Sequence, residues 1–316
     1  MIRTERVRVG EKLPYNDNPM PDIETSVRRY LLKQAKQIVG CERRVQEFDV
    51  EAVHDMRVAS RRARSVLRAV SDLYPKRSVR KVRGKLRRIG RALGAVRDKD
   101  MWLLSLEEHL RQDSFQEAAS IRDRWSNARE AACKDVLALI DEGAAREAAS
   151  DLTEIANAGM KRRGNRRADF SRKRIREAFR AFDTLAKSAA TASMDDLHEL
   201  RIQAKRLRYT IEVLLCSKPA ATKSFIQPLV ALQDHLGLMQ EDRLAREDLE
   251  SLDGPGAAAY GQFLKDRVRA RKAQVGSLLG PLTEPSYIKS LLSAAKGAEV
   301  HSQEIQRAKA AIRPGH

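Results

Sequence analysis

Val53-His54-Asp55-Met56-Arg57-Val58-Ala59-Ser60-Arg61-Arg62-Ala63-Arg64 returns later in the chain as Leu197-His198-Glu199-Leu200-Arg201-Ile202-Gln203-Ala204-Lys205-Arg206-Leu207-Arg208. The offset, His54 to His198, is a constant 144 residues. Arg57 aligns with Arg201, Arg61-Arg62 with Lys205-Arg206 and Arg64 with Arg208, and an acid follows each histidine. A histidine and four cations kept in register mark two copies of one structural unit. Neither copy contains Pro or Gly and both are rich in helix formers, so each predicts a helix.

On a helix of 3.6 residues per turn, His54, Arg57, Arg61, Arg64 and Arg68 share one face. Met56, Ala59, Ala63, Val66 and Val70 share the opposite one. The second copy sets His198, Arg201, Lys205 and Arg208 against Leu200, Leu207 and Leu214. The apolar faces must pack into helical bundles. The simplest fate for the basic faces is exposure to water. Solvated faces usually mix charge signs, however, and three like-charged neighbours (Arg57/Arg61, Arg61/Arg64, Arg64/Arg68) together cost ~1 kcal/mol. A polyanion would reverse the sign of that cost.

Composition points the same way. Lys and Arg number 61 against 43 Asp and Glu, a net +18, and the excess is clustered. Residues 55–97 hold fifteen Lys/Arg and only Asp55 and Asp72, while 161–180 hold ten against Asp169 and Glu177. Such clustering suits nucleic acid, an anionic membrane or a chain of inorganic phosphates. Cys41, Cys133 and Cys216 are far apart and odd in number, which predicts small buried thiols in a reducing compartment and no disulfide framework. No apolar run approaches membrane-span length, and Met1-Ile2-Arg3-Thr4-Glu5-Arg6 begins no signal-peptide core. The expectation is a cytoplasmic protein.

Along the chain, 1–21 with Pro14, Pro19 and Pro21 read as an extended lead-in. Helices are expected at about 23–40 (capped by Asp22), 50–74 (stopped by Pro75), 79–93, 97–110, 114–140 and 144–163, with a break at Gly94. The second half repeats the order: about 170–190, a motif helix capped by Asp195 or Asp196 and stopped by Pro219, and another at 256–280. Leu86 to Asp98 matches Leu229 to Glu241 at offset 143, including Gly94 with Gly237. No stretch alternates like a strand. The fold class read from this is all-α, two tandem helical bundles related by a pseudo-twofold. Repeat 1 is placed at about 22–150 and repeat 2 at 151–300, with a weakly ordered tail at 301–316.

The doubled H-x-x-R-[VI]-x-x-[RK]-R-x-R helix, each copy followed by Leu-Gly and an acid, resembles the CHAD domain, the conserved histidine α-helical domain, over about 22–300. The resemblance implies two four-helix bundles around a central basic cavity, with inorganic polyphosphate as the partner held there, and association with polyphosphate granules. It implies His54, Arg57, Arg61, Arg62, Arg64, His198, Arg201, Lys205, Arg206 and Arg208 as phosphate contacts or cavity lining. Arg88, Arg91 and Arg97 are weaker candidates. The family's Arg-Asp pair appears as Arg97-Asp98 and, in the second half, as Gln240-Glu241; we assign it mainly to helix capping and internal pairing. Arg162-Arg163 and Arg166-Arg167 fit a cavity mouth and a solvated loop equally well. Some relatives carry a triphosphate tunnel domain opened by E-x-E-x-K, which Glu5 and Glu11-Lys12 do not form, so a stand-alone member is expected.

Hydrolysis of a phosphoanhydride needs a metal clamp or a positioned base. The motif acids Asp55 and Glu199 stand among cations without a second carboxylate at ligand spacing. His109, His235, His301 and His316 form no cluster, and arginines around His54 and His198 would repel a metal ion. The expectation is a non-enzymatic binder with no catalytic residue, metal or cofactor. Nucleic acid is the alternative partner, and a phosphohydrolase accessory module or a helical scaffold coating granules are further ones. Aromatic residues are only 5% of the chain, with none between Phe48 and Tyr74, where single-strand binders would stack bases. Bare phosphates need only charge and forked donors, which Arg supplies.

Overall fold

The computed structural model describes residues 23–111, 118–160, 170–216 and 219–295. These fold as helices joined by short turns, with no strand among them. The lead-in with Asp22, the basic run 162–167, and the tail with His301 and His316 lie outside the described residues.

In the first half, α1 (Ile23–Gly40), α3 (Val50–Ala69), α4 (Lys76–Leu110) and α6 (Ala144–Ala158) pack into a ring of four, with the short α2 (Glu42–Gln46) and the long α5 (Ala118–Asp141) outside it. In the second half, α7 (Phe170–Lys187), α8 (Met194–Leu214) and α9 (Pro219–Leu249) pack in the order of α1, α3 and α4, and α10 (Pro255–Thr283) pairs with α9 as α5 does with α4. A further helical stretch covers 285–295. α6 runs through residue 150, where the boundary between repeats is expected, and by its packing on α1 and α4 belongs wholly to the first ring.

The apolar stripes read from the sequence make the core. Met56, Ala59, Ala63, Val66 and Val70 are at most 1% exposed, and Leu200, Leu207 and Leu214 are buried. One continuous cluster joins these residues across both halves. A second, smaller core of Trp102, Leu106, Ile121, Trp125, Tyr260 and Leu264 forms where the α4–α5 hairpin meets the α9–α10 hairpin.

Local chemistry fixes the helix ends. The Asp49 carboxylate accepts the Ala52 N–H at 2.7 Å and starts α3. Ser193, not Asp195 or Asp196, is the N-cap of α8: its hydroxyl accepts the Asp196 N–H while Asp196 accepts the Ser193 N–H, a reciprocal box. Arg174 of α7 donates to the carbonyls of Ala69 and Arg68 and closes the C-terminus of α3, which ends at Ala69 short of the expected 74. Gly143, at φ 74°, makes the left-handed turn between α5 and α6.

The expected break at Gly94 does not occur. α4 runs unbroken from Lys76 to Leu110, because its buried stripe (Leu86, Ile89, Leu93, Val96) continues in helical period through the glycine. Arg97-Asp98 therefore lies mid-helix and cannot cap anything; Gln240-Glu241 has the same position within α9. Cys41 and Cys133 are buried as expected, whereas Cys216 is half-buried, and none of the three is in a disulfide. No helix among the described residues is long and apolar enough to cross a membrane.

Candidate functional site

The two motif helices, α3 and α8, pack against each other, flanked by α4 and α9. Their outward faces are thereby turned toward a common centre. Arg201 lies within electrostatic reach of Arg57 and Arg61 from the other repeat, and of Asp98 and Glu241. Arg57 likewise feels Arg61, Arg97, Asp98 and Glu241. Lys205 sits among Arg201, Arg61 and Arg57. Burial first, and these arginines second, push the Lys205 ammonium down to about 6.

The cluster is short of counter-charge. Asp98 and Glu241, at matching positions of the two repeats, are its nearest acids, and burial raises both while the surrounding arginines pull the other way. Asp234 is raised by burial in the same manner. The Nε atoms of Arg61 and Arg201 and Nδ1 of His198 are buried without a hydrogen-bond partner among the described residues. Orphaned donors of this kind cost free energy until an acceptor reaches them. His54 and His198 flank the cluster, and burial first, then neighbouring cations, lowers both imidazoles. The leading cause is desolvation; Arg97, Arg61 and Arg57 come second for His54, and Arg201 for His198.

A glycine stands beside each of the two central arginines, and only the second leaves no space for a side chain. A Cβ on Gly237 would meet Arg201 Nη2 at 3.2 Å, while one on Gly94 would be 3.8 Å from Arg57 Nε. Gly94→Ala and Gly237→Ala each gain helix propensity, up to about 1 kcal/mol. We expect Gly94→Ala to raise Tm and leave anion binding unchanged, and Gly237→Ala to weaken binding because Arg201 must shift. Equal binding by both variants, measured beside their melting curves, would remove the steric role assigned to Gly237.

The remaining sequence candidates separate. Arg64 lies with Arg61, Arg83, Arg87 and Arg91 on the first-half flank. Arg206 approaches Arg68 and Arg83 from the second half and faces Glu199 at 3.7 Å. Arg62 faces the Tyr30 side of the bundle, beside Arg208. Arg208 is occupied: it donates to Glu212 at 2.8 Å and to Gln233 at 3.4 Å. Arg88 is turned away to Glu142, 2.6 Å off on the surface, and is not brought to the cluster. Arg83, Arg87 and Asp234 were not singled out by the sequence reading. The signal for the first two was available: Arg83, Arg87 and Arg91 recur every fourth residue on the α4 face that carries Gly94, and Arg88 is one residue off that stripe.

The other described histidines are structural. His109 packs on Tyr260 and Phe263, and His235 Nε2 hydrogen-bonds the Arg271 carbonyl at 2.8 Å. No three His, Cys, Asp or Glu side chains among the described residues are placed to hold a metal ion.

The family model for the CHAD domain matches residues 29–250. A search of curated proteins finds no match. Among solved structures, the CHAD domain from the plant Ricinus communis is similar at 24% identity and a TM-score of 0.60, covering 88% of this chain and 92% of that one. PptA from Streptomyces chartreusis is similar at 16% identity and a TM-score of 0.65, covering 82% and 99%. At these identities the likeness speaks for the fold alone.

Proposed function

The chain belongs to the CHAD domain family, and from that premise we propose that it is a non-enzymatic binder of inorganic polyphosphate. The observation that carries this reading is the meeting of Arg57 and Arg61 with Arg201 and Lys205 at one place, with orphaned donors and too few acids. A linear phosphate chain supplies closely spaced negative oxygens, which is the complement such a set lacks. Asp98 and Glu241 stand among arginines, where they act as internal counter-charges that hold Arg57 and Arg201 in place. His54 and His198 would border the chain, and Arg64 and Arg206 would extend its contacts. Binding of this kind would bring the protein to polyphosphate granules.

The test is affinity for polyphosphate against duplex and single-stranded DNA at equal phosphate concentration, over several salt concentrations. Polyphosphate should bind more tightly throughout, and every ligand should show a steep salt dependence. DNA binding as tight as polyphosphate would transfer the site to nucleic acid. The shared site has its own consequence. Independent positions add within about 0.5 kcal/mol, but Arg57→Ala and Arg201→Ala act on one bound chain, so their double-mutant cycle should show a larger coupling. Additive effects with two equivalent short-chain sites would split the cluster into separate surfaces.

A further inference from the structure

Away from the central cluster the two repeats have diverged. Arg68 of α3 corresponds to Glu212, and on α4 and α9 Arg83 corresponds to Ile226, Arg87 to Val230, Gly90 to Gln233 and Arg91 to Asp234. The first half therefore continues from Arg61 through Arg64 and Arg68, faced by Arg83, Arg87 and Arg91. Among the described residues none of these five arginines beyond Arg61 makes an ion pair within 4 Å, and Arg83 Nε is buried without a partner. Arg64 Nη1 lies against Gly90, 3.6 Å from where a Cβ would stand. Its counterpart Arg208 is instead tied to Glu212 and Gln233, with Asp234 beside it. At its far end the first-half flank opens into a cavity of about 160 Å³ lined by Arg68, Arg206, Ser65, Gln203 and Arg174, the last paired there with Glu177 at 3.1 Å.

Resting on the polyphosphate reading above, we infer that a bound chain longer than the central cluster leaves it on one side only, along a ramp of Arg64, Arg68, Arg83, Arg87 and Arg91. The opposite side is closed by Glu212, Gln233 and Asp234. The centre grips a short run of phosphates from both repeats. The ramp then adds contacts that only a long chain reaches, so it sets chain-length preference and gives the complex a direction.

Two ligands separate the parts: tripolyphosphate, which fits the centre, and long-chain polyphosphate. The triple variant Arg68→Ser, Arg83→Ser, Arg87→Ser should bind tripolyphosphate within about twofold of the parent. It should bind the long chain about tenfold more weakly, with a salt slope shallower by roughly 2, as expected from ~0.7 per lost phosphate contact on a single strand. A control with the same loss of charge, Lys223→Ser, Arg269→Ser, Lys289→Ser on exposed second-half positions, should leave both affinities near the parent's. Helical circular dichroism and melting curves check that each variant is folded. An unchanged long-chain affinity in the ramp variant, or an equal fall in the control, overturns the ramp while leaving the central site intact. If instead Arg57→Ser with Arg201→Ser binds both ligands like the parent, it is the polyphosphate reading that fails.

Discussion

Arg61→Glu is expected to abolish polyphosphate binding while leaving the protein at least as stable as before. Arg61 stands between the repeats, near Arg57, Arg201 and Lys205, with its Nε buried and unpartnered. A carboxylate there removes one contact and places a negative charge against the bound phosphates. At an effective dielectric near 20, a charge pair about 4 Å apart is worth ~4 kcal/mol, so affinity should fall about a hundredfold or more. In the free protein the same change inserts an anion among surplus cations, and repulsion is relieved. Val66→Asp is the contrasting variant. Val66 is fully buried on the other face of the same helix, and an unpaired carboxylate there costs ~3–5 kcal/mol, enough to lower Tm by roughly 10 °C or end cooperative folding. Melting curves of the two variants distinguish the faces of α3. If Arg61→Glu melts as early as Val66→Asp, Arg61 belongs to the core's own ion pairing and the central site is misassigned.

The second large effect concerns protons. Lys205 is held at about 6, far below its ordinary 10.5, so between these values the unfolded chain carries a proton that the folded one does not. Stability therefore rises with pH from about 6 upward, and the penalty of charging Lys205 is complete below about 6. Polyphosphate favours the charged amine and reverses the preference. Binding at pH 7–8 should take up close to one proton from this site, and affinity should strengthen as pH falls toward 6. His54 and His198, also held below their ordinary value, extend the trend to lower pH. Calorimetry in buffers of different ionisation enthalpy counts the protons. Lys205→Met should lose that uptake, bind more weakly and melt several degrees higher at pH 7, since an apolar chain folds without the cost of giving up a proton. A variant with the parent's proton count would show that Lys205 is already charged in the free protein.

The fold was legible because two signals agreed: helical spacing of small apolar residues on each motif and repetition at a constant offset. The centre was legible in part: of the positions kept in both copies, Arg57 and Arg61 meet Arg201 and Lys205, whereas Arg62, Arg64 and Arg208 lie elsewhere. What failed were punctuation rules. Gly94 reads as a stop, yet the stripe Leu86, Ile89, Leu93, Val96 passes through it, and the glycine lies on the helix face beside Arg57. Ser193 was passed over for the acids after it, although its spacing to Asp196 offers the reciprocal cap. Arg88 was grouped with Arg91 by proximity in sequence, but one residue on a helix is a turn of 100°, enough to send it to Glu142. The closing of the second-half flank by Asp234 depended on which face α9 turns inward, and α9's own apolar pattern, interrupted by Pro228 and Gly237, gives that face weakly.

The core that runs unbroken through both repeats carries a last implication. Were the two units separate subunits of a symmetric pair, every substitution would appear twice, and an arginine gained on one flank would be gained on the other. A ligand could then thread such a pair from either end with equal ease. Joined in one chain, Arg68 and Glu212 are free to differ while Arg57 and Arg201 stay alike. Fusion has turned a palindrome into a sentence with a beginning and an end.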